Sequence, residues 1–108
     1  MRRGPFVFVS GTTSIDPKTG EMLHVGSASL QSQQIFGEII KAVQRLGGKK
    51  DDITRVRMFV TSQEDARYVG EVLKDSLGDI GPAATMIIGA KFVSSDMLVE
   101  IEADAVVL

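Results

Sequence analysis

Cysteine is absent from this sequence of 108 residues, and histidine occurs only once, as His24. The absence of cysteine excludes disulfides, thiolate nucleophiles, and zinc or iron–sulfur sites built on cysteine. A single histidine leaves no cluster for a transition metal and little room for a Ser-His-Asp triad. We therefore expect no cofactor and no metal site. Any catalysis would have to use carboxylates, hydroxyls, backbone amides and water.

Long apolar runs and a strong charge imbalance are missing as well. No segment approaches the ~20 consecutive apolar residues that span a bilayer, and the opening residues MRRGP are not the apolar core of a secretory signal. The 12 Lys and Arg residues against 14 Asp and Glu residues give a net charge of −2, without the basic footprint of a nucleic-acid-binding protein. We expect a cytoplasmic protein for which membranes are no partner and nucleic acid is a disfavoured one.

What the sequence does contain is enough apolar material, 44% of its residues, for one folded domain over residues 1–108. Its hydrophobic period alternates between that of strands and that of amphipathic helices. The predicted order is β-β-α-β-α-β-β, an α+β fold in which two helices cover one face of a mixed sheet. The predicted strands cover residues 6–10, 21–25, 53–61, 84–93 and 98–107, and the predicted helices run from about 29 to 46 and from 63 to near 78.

The first predicted helix has an apolar stripe on Ile35, Ile39 and Val43, with polar residues such as Gln31 expected to point away from it. The second is predicted to begin at Ser62, an N-cap residue.

The sheet face away from the helices is predicted to mix apolar and charged residues. Phe59, Thr85 and Ile87 would share it with Arg55 and Arg57. Such a face is too apolar in places to remain in water, and small domains usually bury such a surface against a partner. The pattern therefore predicts a homo-oligomer.

Several short segments together carry a resemblance to a known family. They are FVSG at 8–11, DPKTGE at 16–21, RVRMFVT at 55–61, PAAT at 82–85 and VEIEA at 99–103. In this order and spacing they resemble the RidA/YjgF family, the reactive intermediate deaminases also called endoribonuclease L-PSP.

The resemblance implies a fold, an assembly and a reaction. The expected fold is a two-layer, chorismate-mutase-like protomer, and the expected assembly is a homotrimer with clefts between its subunits. Family members with a complete site hydrolyse enamine or imine intermediates to a 2-keto acid and ammonia without a cofactor. The implied partner, besides a second and third copy of the chain, is a small metabolite that carries a carboxylate.

The resemblance also points to individual residues. Glu100 matches the family glutamate that positions water, and Ser10 and Gly11 match the loop after the first core strand. Ala84 stands where the family motif has a carboxylate-binding arginine, and Thr85 follows it. The N-terminal segment that carries the family tyrosine has no counterpart here.

Lys91, Arg55 and Arg57, all on predicted strands, are candidates to replace the missing arginine. The position of Lys91 is more typical of a solvated residue at the sheet rim, although a desolvated lysine would be a candidate to bind a carboxylate.

Other interpretations remain open. Glu100, Glu102 and Asp104 form an acidic strand face that could simply pair with Arg55 and Arg57 on a neighbouring strand. With Ala84 in place of arginine, the trimer could bind a ligand or regulate a partner without catalysis. Ribonuclease activity, suggested by the older family name, is disfavoured by the acidic charge balance.

Overall fold

A five-stranded mixed sheet forms one layer of the protein in the computed structural model, which describes all 108 residues. Its order is β1-β2-β5-β3-β4; β5 lies antiparallel between β2 and β3, and β4 pairs parallel with β3 at one edge. The strands are β1 Arg2–Arg3, β2 Phe6–Thr12, β3 Ile53–Val60, β4 Ala83–Ile88 and β5 Val99–Val106.

Two helices form the second layer, α1 over Ala28–Arg45 and α2 over Gln63–Leu77. Each begins where a serine hydroxyl accepts a backbone N–H: Ser27 from Leu30, and Ser62 from Asp65. Such caps satisfy donors that the first helical turn leaves free.

A single apolar core lies between the helices and the sheet. Alternate residues of β3 and β5 point into it, and the stripe of α1 packs against them. The buried side chains include Ile35, Phe36, Ile39 and Val43 from α1, Val56, Met58 and Val60 from β3, and Val99 and Ile101 from β5. The predicted α+β fold, with both helices on one sheet face, is confirmed.

The opposite sheet face, called the open face below, carries the remaining residues of each strand. Because cross-strand partners share a face, the register places Phe59 beside Glu100 and Ile87, and Arg57 beside Glu102 and Thr85. Further along, Phe6 and Phe8 are 52% and 46% exposed on the same face. The predicted mixture of apolar and charged groups on this face is confirmed.

Two predicted strands differ from the structure. Residues 21–25 do not form a strand, because the turn at 16–20 closes on the single bridge Ile15–Met22 before the chain continues into α1. The observed order is also β-β-α-β-α-β-β, but its N-terminal pair consists of β2 and the short strand β1, which the sequence did not predict.

The predicted strand over 84–93 ends instead at Ile88. Gly89 adopts a positive φ of 94°, and the N–H groups of Gly89 and Ala90 both bond to the carbonyl of Val60. The chain therefore turns away from the sheet, and Lys91 lies in a loop, not on a strand.

Candidate functional site

Glu100 and the Ser10–Gly11 segment lie together on the open face. The register between β2 and β5 shifts by one residue between Val9 and Thr12, which is a β-bulge at Ser10 and Gly11. A Cβ atom added to Gly11 would stand only 2.7 Å from Oε2 of Glu100. The absence of a side chain at Gly11 therefore leaves room for the Glu100 carboxylate against the β2 backbone.

The Glu100 carboxylate has no partner in the chain, unlike its acidic neighbours on β5. Arg57 binds Glu102 through Nη1 and Asp104 through Nη2, each at 3.3 Å, so the predicted cross-strand pairing is confirmed for this arginine. Arg55 takes part in no ion pair, contrary to expectation, and neither does Glu100. Half-buried between the bulge and Phe59, Glu100 is thus the carboxylate on this face that stays available to a ligand.

Ala84 does not join Glu100 within one chain. It pairs with Val56, whose side chain enters the core, so Ala84 projects from the face of the sheet that carries the helices. It is nevertheless exposed, because β4 is an edge strand. Thr85, the next residue, is exposed on the open face, beside Arg57.

The hydroxyl residues at the bulge differ in their surroundings. Ser10 is exposed, whereas the hydroxyl of Thr12 donates to the carbonyl of Ser10 at 2.9 Å. Thr12 therefore has the local role that loop hydroxyls commonly have, and Ser10 remains accessible to a ligand.

A groove of about 530 Å³ lies beyond the ends of β3 and β4. The loop 89–98 forms most of its wall, and Lys91 is on this loop. The side chains that line it include Phe92, Met97 and Leu98 together with Thr61. Of the predicted site residues, Lys91 is the one that the structure places in a groove.

Gln31 is a structural residue that the sequence interpretation placed wrongly. Instead of pointing to solvent it is fully buried, and its amide joins three loop positions. Nε2 donates to the carbonyls of His24 and Asp96 at 3.2 and 2.9 Å, and Oε1 accepts the N–H of Leu98 at 3.0 Å. The signal was present in the sequence: residue 31 precedes Ile35 by one helical turn and so lies on the apolar stripe.

No group of three His, Asp or Glu side chains is arranged to hold a metal ion. None of the helices is long and apolar enough to cross a membrane.

Comparison with known proteins gives consistent relatives. The family model described as Endoribonuclease L-PSP matches residues 1–107. A RutC family protein of Pyrococcus horikoshii is 30% identical over 105 residues, which are 97% of this chain and 82% of that protein. A Dermatophagoides farinae protein named 2-iminobutanoate/2-iminopropanoate deaminase is 27% identical over 104 residues, 96% of this chain and 80% of that one. The crystal structure of a YjgF/YER057c/UK114 family member from Mycobacterium tuberculosis superposes with a TM-score of 0.85 at 33% identity, covering 98% of this chain and 82% of that one.

Proposed function

Because the chain belongs to the endoribonuclease L-PSP family, also known as the RidA/YjgF family, we propose that it hydrolyses the C=N bond of small imino acids. The name of the Dermatophagoides farinae relative, 2-iminobutanoate/2-iminopropanoate deaminase, supports this class of reaction. The observation that carries the proposal is the Glu100 carboxylate, which is free of ion pairs and lies against the backbone of Gly11.

In the proposed reaction Glu100 acts as a general base. Its carboxylate takes a proton from a water molecule as the water oxygen bonds to the imine carbon, and the C=N electron pair moves to nitrogen, which receives that proton from Glu100. In the resulting carbinolamine, Glu100 transfers the hydroxyl proton to nitrogen as the C–N bond breaks, so that ammonia leaves and the C–O bond becomes the carbonyl of a 2-keto acid. Ser10 and Gly11, at the bulge beside Glu100, are proposed to contact the substrate through their backbone and hydroxyl groups.

We further propose that the active unit is a homotrimer whose sites lie between subunits. Phe6 and Phe8 leave apolar area exposed on the open face, which favours burial by another copy. Ala84 and Thr85, on an exposed edge strand, would then contribute from a neighbouring subunit, because Ala84 projects away from Glu100 of its own chain. Light scattering that finds a stable monomer at working concentrations would contradict this assembly.

The reaction is tested with imines generated in the assay by an amino-acid oxidase, in competition with semicarbazide. We expect Glu100→Gln to lower the rate by about 100-fold or more, the usual contribution of a general base. Glu102→Gln is the matched control, because Glu102 lies two residues away on the same strand face but is paired with Arg57. Full activity of Glu100→Gln, or no hydrolysis by the unaltered protein, would reject the mechanism.

A second candidate function is ligand binding without catalysis, favoured by Ala84, which offers no charged group to a substrate. It predicts that 2-keto acids raise the unfolding temperature while imines are not turned over. At a ligand concentration of 100 times Kd the stabilisation would be about 2.7 kcal/mol.

Ribonuclease activity is not proposed, since the net charge is −2 and the neutralisation of Arg57 by Glu102 and Asp104 leaves Arg55 as the one unpaired arginine that β3 brings to the open face, which is not a basic stripe.

A further inference from the structure

The groove at the ends of β3 and β4 lies beside the start of β5, the strand that carries Glu100. The N–H of Thr61 bonds to the carbonyl of Leu98 at 3.3 Å, which extends the β3–β5 ladder one step beyond the Val60–Val99 pair. Leu98, which lines the groove, precedes Glu100 by two residues and packs partly against the core. The groove therefore begins two residues along the chain from the free carboxylate.

Lys91 brings the only charge to the lining of this groove. No carboxylate is among the lining residues, and Lys91 takes part in no ion pair. The rest of the lining combines apolar side chains with hydroxyls, among them Phe92, Met97 and Ser94. A cation beside apolar walls suits a ligand with a carboxylate at one end and a short aliphatic chain at the other.

The loop that forms the groove is held in place from several directions. Gln31 bonds to the carbonyl of Asp96 and the N–H of Leu98, while Gly89 and Ala90 are tied to the carbonyl of Val60. A site on such an anchored loop needs little ordering when a ligand binds, which favours affinity.

We propose that this groove is the carboxylate subsite of the protein, with the ammonium of Lys91 binding the carboxylate and Phe92 and Met97 contacting the aliphatic chain. Lys91 thus takes the place of the arginine that is absent at Ala84. The inference rests on the proposed function in one respect, which is that the natural ligand is an imino acid. Binding of a carboxylate in the groove does not itself require hydrolysis.

The test compares hexanoate with hexanamide, which differ in charge but hardly in shape, by calorimetry or NMR titration of the intact protein. We expect hexanoate to bind about tenfold more tightly, in line with a charge-assisted contact. Lys91→Met keeps the length of the side chain and should reduce this ratio to near one, whereas Lys91→Arg should retain it. Lys74→Met, an equally neutralising change at an exposed, unpaired lysine of α2, should leave the ratio unchanged.

The apolar wall is tested with butanoate and hexanoate. Each buried methylene should improve binding about fourfold, and Phe92→Ala should reduce that gain without changing the preference for carboxylate over carboxamide.

A carboxylate preference that survives Lys91→Met, or hexanoate that does not bind, would overturn the inference. These outcomes are separable from those of the proposed reaction. A Lys91-dependent preference without imine hydrolysis would support the subsite and reject the hydrolase. If Glu100→Gln abolishes hydrolysis but Lys91→Met leaves the preference for carboxylate over carboxamide unchanged, the hydrolase is supported and the subsite is rejected.

Discussion

The substitution Gly11→Ala should move the Glu100 carboxylate while leaving the stability of the fold nearly unchanged. The new methyl group would stand 2.7 Å from Oε2 of Glu100, whereas ordinary contact begins at 3.4 Å, so the carboxylate must retreat by about 0.7 Å. Because the obstructing atom is the end of a flexible side chain, the fold can accommodate the change by rotating Glu100. We therefore expect a displaced carboxylate in an otherwise intact protein.

The two energy terms for stability nearly cancel. An off-rotamer glutamate costs about 0.5–1.5 kcal/mol, while replacing glycine by alanine lowers the entropy of the unfolded chain and contributes about 0.4–1 kcal/mol. The free energy of unfolding should therefore change by less than about 1 kcal/mol. The rate of imine hydrolysis should fall by about 100-fold, since a displacement on the order of 1 Å has that effect on a catalytic group.

The assay pairs urea unfolding with the semicarbazide competition measurement on the same samples. Gly37→Ala is the control, because it is the same chemical change at an exposed position of α1, where a new Cβ would have no atom within 4 Å apart from the backbone of its own helix. It should raise stability by up to about 1 kcal/mol and leave the rate unchanged. Unchanged activity in Gly11→Ala would refute the assignment of Glu100. A stability loss of several kcal/mol would show that Gly11 serves the backbone and not the carboxylate.

Two further predictions follow from residues away from the bulge. Ala84→Arg should raise kcat/KM for 2-iminobutanoate about tenfold, because a guanidinium at an exposed edge position can bind a carboxylate through two parallel bonds; steady-state kinetics showing no gain would mean that this side of β4 does not reach the site. Gln31→Leu should lower the free energy of unfolding by about 2–4 kcal/mol, since it removes three hydrogen bonds that the buried amide makes to the backbone of two loops. Urea titration checks this loss, and the exposed Gln33→Leu on the same helix should change stability by less than about 0.5 kcal/mol.

The fold was largely predictable because its elements are strongly periodic. The stripe of Ile35, Ile39 and Val43 and the alternation along β5 each specify one structure. The prediction of a strand over residues 84–93 was wrong because it followed an apolar run in the sequence. The strand ends at Ile88, since the positive φ of Gly89 turns the chain away from the sheet. Gln31 was misplaced because its polarity was weighed above its position on the buried stripe, where bonds to two loops satisfy its amide.

The site was less predictable than the fold, since it depends on sheet register. The bulge that brings Gly11 against Glu100 is a one-residue shift that leaves no mark in the hydrophobic pattern. Glu100 has no ion-pair partner because Arg57 binds Glu102 and Asp104 instead. The three side chains are all carboxylates on one strand face, so the sequence does not show which of them Arg57 will bind. A family motif identifies such a glutamate, but only the structure shows which acid of the strand is left without a partner.

Register also limits how one chain could complete the site. Ala84 and Ala103 both pair with Val56, on the core side of the sheet, whereas Glu100 pairs with Phe59 on the open face. A side chain at position 84 would have to pass around the edge of β4 to approach the carboxylate of its own chain. A neighbouring copy whose edge strand lies against the open face avoids that path. The gain expected from Ala84→Arg would therefore come from contact between subunits, whereas Lys91 lies in a groove formed by its own chain.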